Sequence, residues 1–345
     1  MRVLVAANLT PFLRGGALDH VHGLVRAFRE AGHAVECLQM PFSFNPEGQI
    51  RQAMSFARAL DMRSPSGQQI DRMVALQFPV YAIQHPDAIV WVMHQHRSVY
   101  ELFEPDRAST DLCALREEII AFDEAALRPV EARGRLYANS GRVAERLKRF
   151  NQISATPLYH PPPDADRFFC DDPLGLIFFP SRFESLKRQL LVIEAAQYMK
   201  SPLKIVLAGE GGQFDAAKAL VERLQLTDRV KLLGRISASE KILWLSLANA
   251  VCYATRDEDY GYVTLEAMLS SKPLIVCNDA GGPLEFVIDQ ENGLVVEPEA
   301  RAIAEAFDWI HAHPTRAKEM GQAGLARYSA LGVSWPHVVE TLLSV

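Results

Sequence analysis

The chain has 345 residues, with 36 Lys and Arg against 42 Asp and Glu and a formal net charge of −6. At roughly 150 residues per domain that length suggests two domains, each with room for a full core. Hydrophobic residues at 49% and charged residues at 23% exclude disorder and fibrous repeats. A mildly acidic chain lacks the clustered Lys and Arg that hold nucleic acid, so no nucleic-acid partner is expected.

Five cysteines, Cys37, Cys113, Cys170, Cys252 and Cys277, lie far apart, with no CxxC pair and no His at ligand spacing. That argues against a zinc module, and the odd count argues against a secreted disulfide framework. The apolar run after Arg2 ends at Asn8, too short for a signal peptide's core. No uncharged apolar stretch approaches the ~20 residues of a membrane span. A reducing, cytoplasmic setting is expected.

Along the chain, residues 2–7 read as a buried strand, and residues 17–31 repeat apolar side chains at helical spacing before stopping at Gly32. Residues 34–39, 73–77, 88–93 and 136–139 are further strands, with helices over 111–132 and 141–150. Residues 42–49, 61–69 and 97–109 read as long loops. Strands alternating with helices imply parallel β-α-β units. The run His160-Pro161-Pro162-Pro163 suits neither helix nor central strand, so a linker begins there.

The alternation then restarts. Residues 176–180, 204–208, 230–232, 250–253 and 273–277 are strand candidates, each followed by a helical run, and 334–345 is a last amphipathic helix. The expected fold is α/β, with two doubly wound Rossmann-like domains, 1–163 and 164–330, facing a central cleft. The tail 331–345 can cross back onto the first domain, and a hinge is expected near 160–164. Ligands of such sheets bind where strand ends, glycine loops and helix N-termini gather.

Four stretches fall at that edge. Gly15-Gly16 lies between the first strand and first helix, where glycine lets backbone approach a ligand, although a plain turn explains it equally well. Arg182 and Lys187 follow a strand and open a helix; a guanidinium fork and an ammonium point charge suit a diphosphate, although surface charge is the commoner reading. In the segment from Asp257 to Glu266, Gly261 sits where a helix starts and exposes N–H groups. Glu266 lies among Val263, Leu265, Ala267 and Met268, where a carboxylate is expensive unless it accepts hydrogen bonds. The hydroxyls of a ribose would satisfy it; a Glu on a polar helix edge is the plainer alternative. Asp257 and Asp259 have the spacing of a DxD metal–nucleotide site, a weaker reading this late in a second Rossmann-like domain. Last, Gly281-Gly282-Pro283 forms a tight turn with Pro preset for a helix start.

Taken together, in this order, these stretches resemble the GT-B glycosyltransferases of the retaining, family-four (group 1) kind, from Arg2 to about Leu343. Glu258 and Glu266 resemble that family's E-x7-E motif. Ser181-Arg182 with Lys187 resembles its phosphate-binding segment, with Arg188 where glycine is common. Ala208-Gly209-Glu210-Gly211 resembles its strand-end G-x-G, Gly281-Gly282-Pro283 with Glu285 its GGxxE turn, and Asn292-Gly293-Leu294 its strand start. In the first domain Gly15-Gly16 resembles the GG loop, Tyr137-Ala138-Asn139-Ser140 a conserved-type turn of that family, and His94 occupies the place of its donor-side His.

The resemblance implies a retaining transferase that uses a nucleotide sugar and a glycan or glycolipid acceptor, in cell-envelope polysaccharide or lipopolysaccharide synthesis. Arg182 and Lys187 would neutralise the diphosphate, Glu266 would hold the ribose, and Glu258 a hydroxyl of the donor sugar. His94 would place the sugar's C6 hydroxyl. Gly15, Gly16, Gly209, Tyr260, Gly261, Tyr262 and Val263 would line the donor. No cofactor and no metal are implied. Rival readings on the same scaffold are a sugar-nucleotide hydrolase or epimerase and a non-catalytic sugar-nucleotide-binding subunit. An NAD-dependent dehydrogenase is disfavoured, because Gly209-Glu210-Gly211-Gly212 lacks the dinucleotide fingerprint's continuation. The helix 141–150 carries Arg142, Arg146, Lys148 and Arg149. That pattern reads as a solvated basic face, with peripheral membrane contact as the alternative.

Overall fold

The computed structural model describes residues 1–12 and 15–344; Leu13, Arg14 and Val345, the last residue of the expected final helix, lie outside the described residues. The chain divides into two units, Pro161–Val333 and a first unit made of Met1–His160 plus the segment from Ser334 onward.

In the first unit the elements run β1 (Arg2–Leu9), α1 (Gly16–Glu30), β2 (Ala34–Pro41), α2 (Glu47–Ala59), β3 (Arg72–Ala75), β4 (Ala88–Val92), α3 (Thr110–Glu131), β5 (Leu136–Ala138), α4 (Gly141–Asn151) and β6 (Thr156–Pro157). All six strands are parallel, in the order β2-β1-β3-β4-β5-β6. The chain order reverses between β1 and β3. Residues 3–7, 72–75 and 88–92 are buried on both faces, the signature of a parallel sheet covered on two sides. Ser140 caps α4 by accepting the Val143 N–H at 3.1 Å, which fixes where the turn after β5 ends.

The second unit runs β7 (Leu176–Pro180), α5 (Gln189–Ala195), β8 (Lys204–Ala208), α6 (Phe214–Arg223), β9 (Val230–Leu232), α7 (Ala238–Leu247), β10 (Ala250–Tyr253), α8 (Tyr262–Leu269), β11 (Leu274–Cys277), β12 (Gly293–Val296), α9 (Ala300–Ala312) and α10 (Pro314–Ala330). Its sheet is again parallel, ordered β12-β11-β10-β7-β8-β9. Read from β9, that is the doubly wound dinucleotide-fold order, with its switch point between β7 and β10.

The last helix, α11 (Trp335–Leu343), packs on α1 and so belongs to the first unit. Trp335 stacks on His160 with ring centroids 5.6 Å apart, and His160 stacks on the buried His20 at 3.8 Å. The Arg72 guanidinium donates to the Leu342 carbonyl at 2.9 Å. Gly23 of α1 makes room for the indole, since a Cβ there would lie 2.2 Å from the Trp335 ring.

Two expectations need correction. The segment expected as a loop over 42–49 already enters α2 at Glu47, whose Ile50, Met54 and Ala57 face the core. The basic helix α4 does not present a solvated cationic face throughout: Arg146 is buried and lies 3.4 Å from the Glu101 carboxylate, while Arg142 pairs with Glu145 at 2.7 Å. Among the described residues no helix is long and apolar enough to cross a membrane.

Filling the space that Gly23 leaves should unseat α11. Gly23→Ala is expected to destabilise the protein by about 1–3 kcal/mol through overpacking against Trp335, read as a lowered urea midpoint. Gly32→Ala, with open space around its Cβ and φ +84°, serves as the backbone-strain control.

Candidate functional site

The second unit's charged candidates Arg182, Lys187 and Glu258 sit on loops that leave β7 and β10, the two strands flanking the switch point; Gly209 follows β8, and Glu266 lies in α8. The first loop, residues 181–188, is held from the β8 side by two glycines. A Cβ on Gly209 would lie 2.0 Å from the Ser181 carbonyl oxygen, and one on Gly211 2.5 Å from that of Phe183. The Gln189 amide, fully buried, donates to the Arg182 carbonyl at 2.6 Å. Gly209 therefore has a packing reason to be glycine, whatever it does for a ligand.

The second loop, residues 254–261, docks on the Gly281-Gly282 turn. Asp257 N–H donates to the Asp279 carbonyl at 2.8 Å, Glu258 N–H to that of Ala280 at 2.7 Å, and Gly282 N–H to that of Glu258 at 2.8 Å. A Cβ on Gly281 would lie 2.7 Å from the Glu258 oxygen and one on Gly282 2.6 Å from the Asp259 oxygen. Arg256 N–H donates to the Leu186 carbonyl at 2.7 Å, which ties this loop to the first. Three loops are locked by backbone alone.

That lock brings charges together. The Lys187 ammonium bonds a Glu258 carboxylate oxygen and lies 3.4 Å from the Tyr253 hydroxyl, with both charged side chains largely shielded. Burial, and then the charge of Glu258, hold the Tyr253 phenol well above its usual range, so it stays neutral. Arg182 is half exposed; its nearest carboxylate, Glu184, is 3.9 Å away, a weak surface contact. Arg188 occupies the left-handed region at φ 57°, ψ 35°, which costs a non-glycine residue roughly 1 kcal/mol. Its guanidinium forks onto both oxygens of Asp279 at 2.7 and 2.6 Å.

Helix α8 opens at Gly261, whose φ of 82° and ψ of 75° favour glycine. A Cβ there would meet the Tyr253 ring at 2.9 Å. One turn in, Glu266 is 1% exposed. Its Oε1 accepts from the Lys241 ammonium at 2.5 Å and its Oε2 has no hydrogen-bond partner. The buried hydroxyls of Thr255 and Thr264 also lack partners. Native interiors leave few polar atoms unsatisfied, so Glu266 Oε2 is an acceptor that a hydroxylated ligand would complete. Tyr260 is buried against Tyr262 and Phe286, each ring pair 5.7 Å apart.

Sequence reasoning missed Lys241, Tyr253 and Asp279. Lys241 lies on α7, started by a Ser237–Glu240 capping box, and no spacing rule relates it to Glu266. The one available signal was energetic: a Glu expected in an apolar helix face needs a cation. Among the described residues no three His, Cys, Asp or Glu side chains gather closely enough to hold a metal ion.

In the first unit, Gly15 and Gly16 lie where α1 begins, and the Gly15 carbonyl accepts the Leu18 N–H at 3.0 Å. They follow β1, beside that sheet's own switch point. His94 lies just past β4, half-buried, with Nδ1 donating to the Gln95 carbonyl at 3.0 Å. Next to it His96 is buried, and burial followed by the charge of His94 lowers its pKa to about 4.

These two sheets and their loops define an α/β protein of the GT-B class. Whole-chain structural likeness agrees: sucrose-phosphate synthase of Thermosynechococcus elongatus superposes with a TM-score of 0.72 at 20% identity, covering 98% of this chain and 97% of that one. The Anabaena protein HepE, in complex with UDP and glucose, superposes with a TM-score of 0.71 at 16% identity over all of both chains. Residues 169–327, within the second unit, match the family model for glycosyl transferases group 1. The D-rhamnosyltransferase WbpZ of Pseudomonas aeruginosa is 33% identical over 146 residues, 41% of this chain and 37% of that protein. The chain spans less than half the length of the first curated relatives it matches.

The low pKa of His96 has a consequence for stability. Below the unfolded value near 6.5 the unfolded chain takes up a proton that folded His96 refuses until about pH 4. Its contribution is therefore complete above pH 6.5 and lost as pH falls toward 4. His96→Asn should flatten the stability–pH profile across that window, measured by urea unfolding at half-unit pH steps; a difference confined to pH above 7 would contradict the assignment.

Proposed function

We propose that the chain is a retaining glycosyltransferase of the hexosyltransferase type, moving a sugar from a nucleoside diphosphate to a hydroxyl of a glycan or glycolipid acceptor. The observation that carries this reading is the Lys187–Glu258 pair on the loops after β7 and β10, with the partly unsatisfied Glu266 one turn into the helix that follows. Diphosphate departure puts charge on phosphate oxygens, and preorganised cations stabilise charge developing in the transition state. Lys187 and Arg182 supply them, and the first N–H groups of α8 add a positive helix end.

Glu266 Oε2, buried and unpartnered, accepts a ribose hydroxyl, while Lys241 keeps its other oxygen neutralised. Glu258 accepts a hydroxyl of the donor sugar, with Lys187 shared between that carboxylate and the phosphate. Tyr260, Gly261, Tyr262, Val263 and Gly209 line the donor. The acceptor oxygen bonds the anomeric carbon on the face from which the diphosphate oxygen departs, and the departing phosphate takes the acceptor's proton. Configuration is kept without an enzyme-bound sugar. Two cations and a helix N-terminus do this without a metal, so activity should survive EDTA.

The sugar-transferase names of the relatives, and the UDP and glucose bound by HepE, support the donor class. A place in cell-envelope polysaccharide or lipopolysaccharide assembly, on the cytoplasmic side, is part of the same proposal.

The two glutamates should separate kinetically. Glu258→Gln should slow nucleoside diphosphate release from the donor by about 10- to 150-fold, the loss of one charged hydrogen bond worth ~1.5–3 kcal/mol. Glu266→Gln should instead weaken binding of the free diphosphate by a comparable factor and leave kcat nearly unchanged. Steady-state kinetics with calorimetry reads both. The reverse pattern would exchange the two roles.

A further inference from the structure

We infer that Arg188 and Asp279 form a positioning brace that holds Lys187 against the donor's terminal phosphate. The inference rests on the transferase reading and adds to it a residue pair that touches no substrate.

Three observations converge. Arg188 directly follows Lys187 and keeps a left-handed backbone conformation that glycine adopts freely and arginine does not. An arginine held there needs a compensating contact, and the structure provides one: two parallel bonds at 2.7 and 2.6 Å to Asp279. A bidentate guanidinium–carboxylate pair fixes orientation as well as distance. Asp279 in turn accepts the Asp257 N–H on its backbone carbonyl, one residue before Glu258. Two ionic ties therefore leave neighbouring residues of the 181–188 loop: Lys187 reaches Glu258 of the second loop, and Arg188 reaches Asp279 of the turn on which that second loop docks. Lys187–Glu258 is the tie that binding must disturb, because a phosphate competes for the ammonium. Arg188–Asp279 is the tie that binding leaves intact. While the ammonium turns from carboxylate to phosphate, the outer pair keeps the first loop fixed to the turn after β11 and, through the Asp257 N–H bond to the Asp279 carbonyl, to the second loop.

Glu297 is a further charged neighbour of Cys277, and its carboxylate accepts from the Asn278 side chain at 2.6 Å. The Cys277 thiol lies beside the fork, its pKa raised to about 11 by burial despite the Arg188 charge, so it stays neutral.

The test is the preference for a nucleoside diphosphate over the monophosphate of the same base, measured by calorimetry with UDP/UMP, GDP/GMP, ADP/AMP and dTDP/dTMP. Only the diphosphate offers Lys187 its terminal phosphate, so the ratio reports where the ammonium sits. Arg188→Lys, Arg188→Gly and Asp279→Asn should each cut that ratio by about 10-fold or more, one charged hydrogen bond's worth, with monophosphate affinity within about twofold of wild type. The exchange Arg188→Asp with Asp279→Arg should restore most of the ratio, since Asp tolerates the left-handed region. Loss of both affinities in parallel with melting temperature would make the pair merely structural and overturn the brace. Full preference in Arg188→Gly would show that backbone shape alone matters, and would also overturn it. If wild type binds none of the four diphosphates, the nucleotide-sugar reading itself fails, a result distinct from either.

Discussion

Lys187 and Glu258 stand 71 residues apart and meet because glycine removes the side chains that would keep their loops apart. The tolerance is small. At Gly209, Gly211, Gly281 and Gly282 the nearest carbonyl oxygen lies 2.0 to 2.7 Å from where a Cβ would stand, inside the distance real atoms accept. Each contact joins backbone to backbone, so no rotamer change relieves an added methyl. The second unit's sheet order places β7 and β10 side by side, and these glycines then close the loops those strands feed. Ion pairs, the α8 start and the buried Glu266 all depend on that closure.

Electrostatics follow from the same geometry. Partly buried charges are costly unless paired, and three acids near the switch point each have a cation beside them: Lys187 for Glu258, Lys241 for Glu266, Arg188 for Asp279. Arg182 is the exception, half exposed and 3.9 Å from its nearest carboxylate. On the proposed reading, Arg182 meets an incoming anion directly, while Lys187 is held on a carboxylate until the anion competes for it. Glu266 shows the complementary case, a buried acceptor oxygen with nothing bound to it.

Much of this architecture was legible in the chain. Parallel sheets buried on both faces write their strands as short apolar runs, and residues 3–7, 88–92, 176–180 and 250–253 could be read directly. Gly32 stopped α1, and Gly261 marked the start of α8. The helix at Glu47 was hidden because it follows Asn45-Pro46 and carries only three buried side chains, with Phe56 pointing out. The two-residue strand β6 is too short to leave any periodicity. Within the candidate site, sequence reasoning named residues that carry a spacing signal and passed over those defined by through-space pairing. Lys241 and Asp279 look like ordinary surface charges until α7 and the turn after β11 bring them to Glu266 and Arg188. Arg146 misled in the opposite direction, because a basic stripe on α4 conceals one member turned inward to Glu101.

The most direct test of the central claim is phosphorus NMR of a nucleoside diphosphate titrated with the protein in EDTA. If the loops after β7 and β10 hold the diphosphate with cations alone, the terminal phosphorus should shift saturably and more than the inner one. Lys187→Met should abolish the larger shift while the protein remains folded. A spectrum unchanged by wild type in EDTA, or a terminal shift that survives in Lys187→Met, would contradict it.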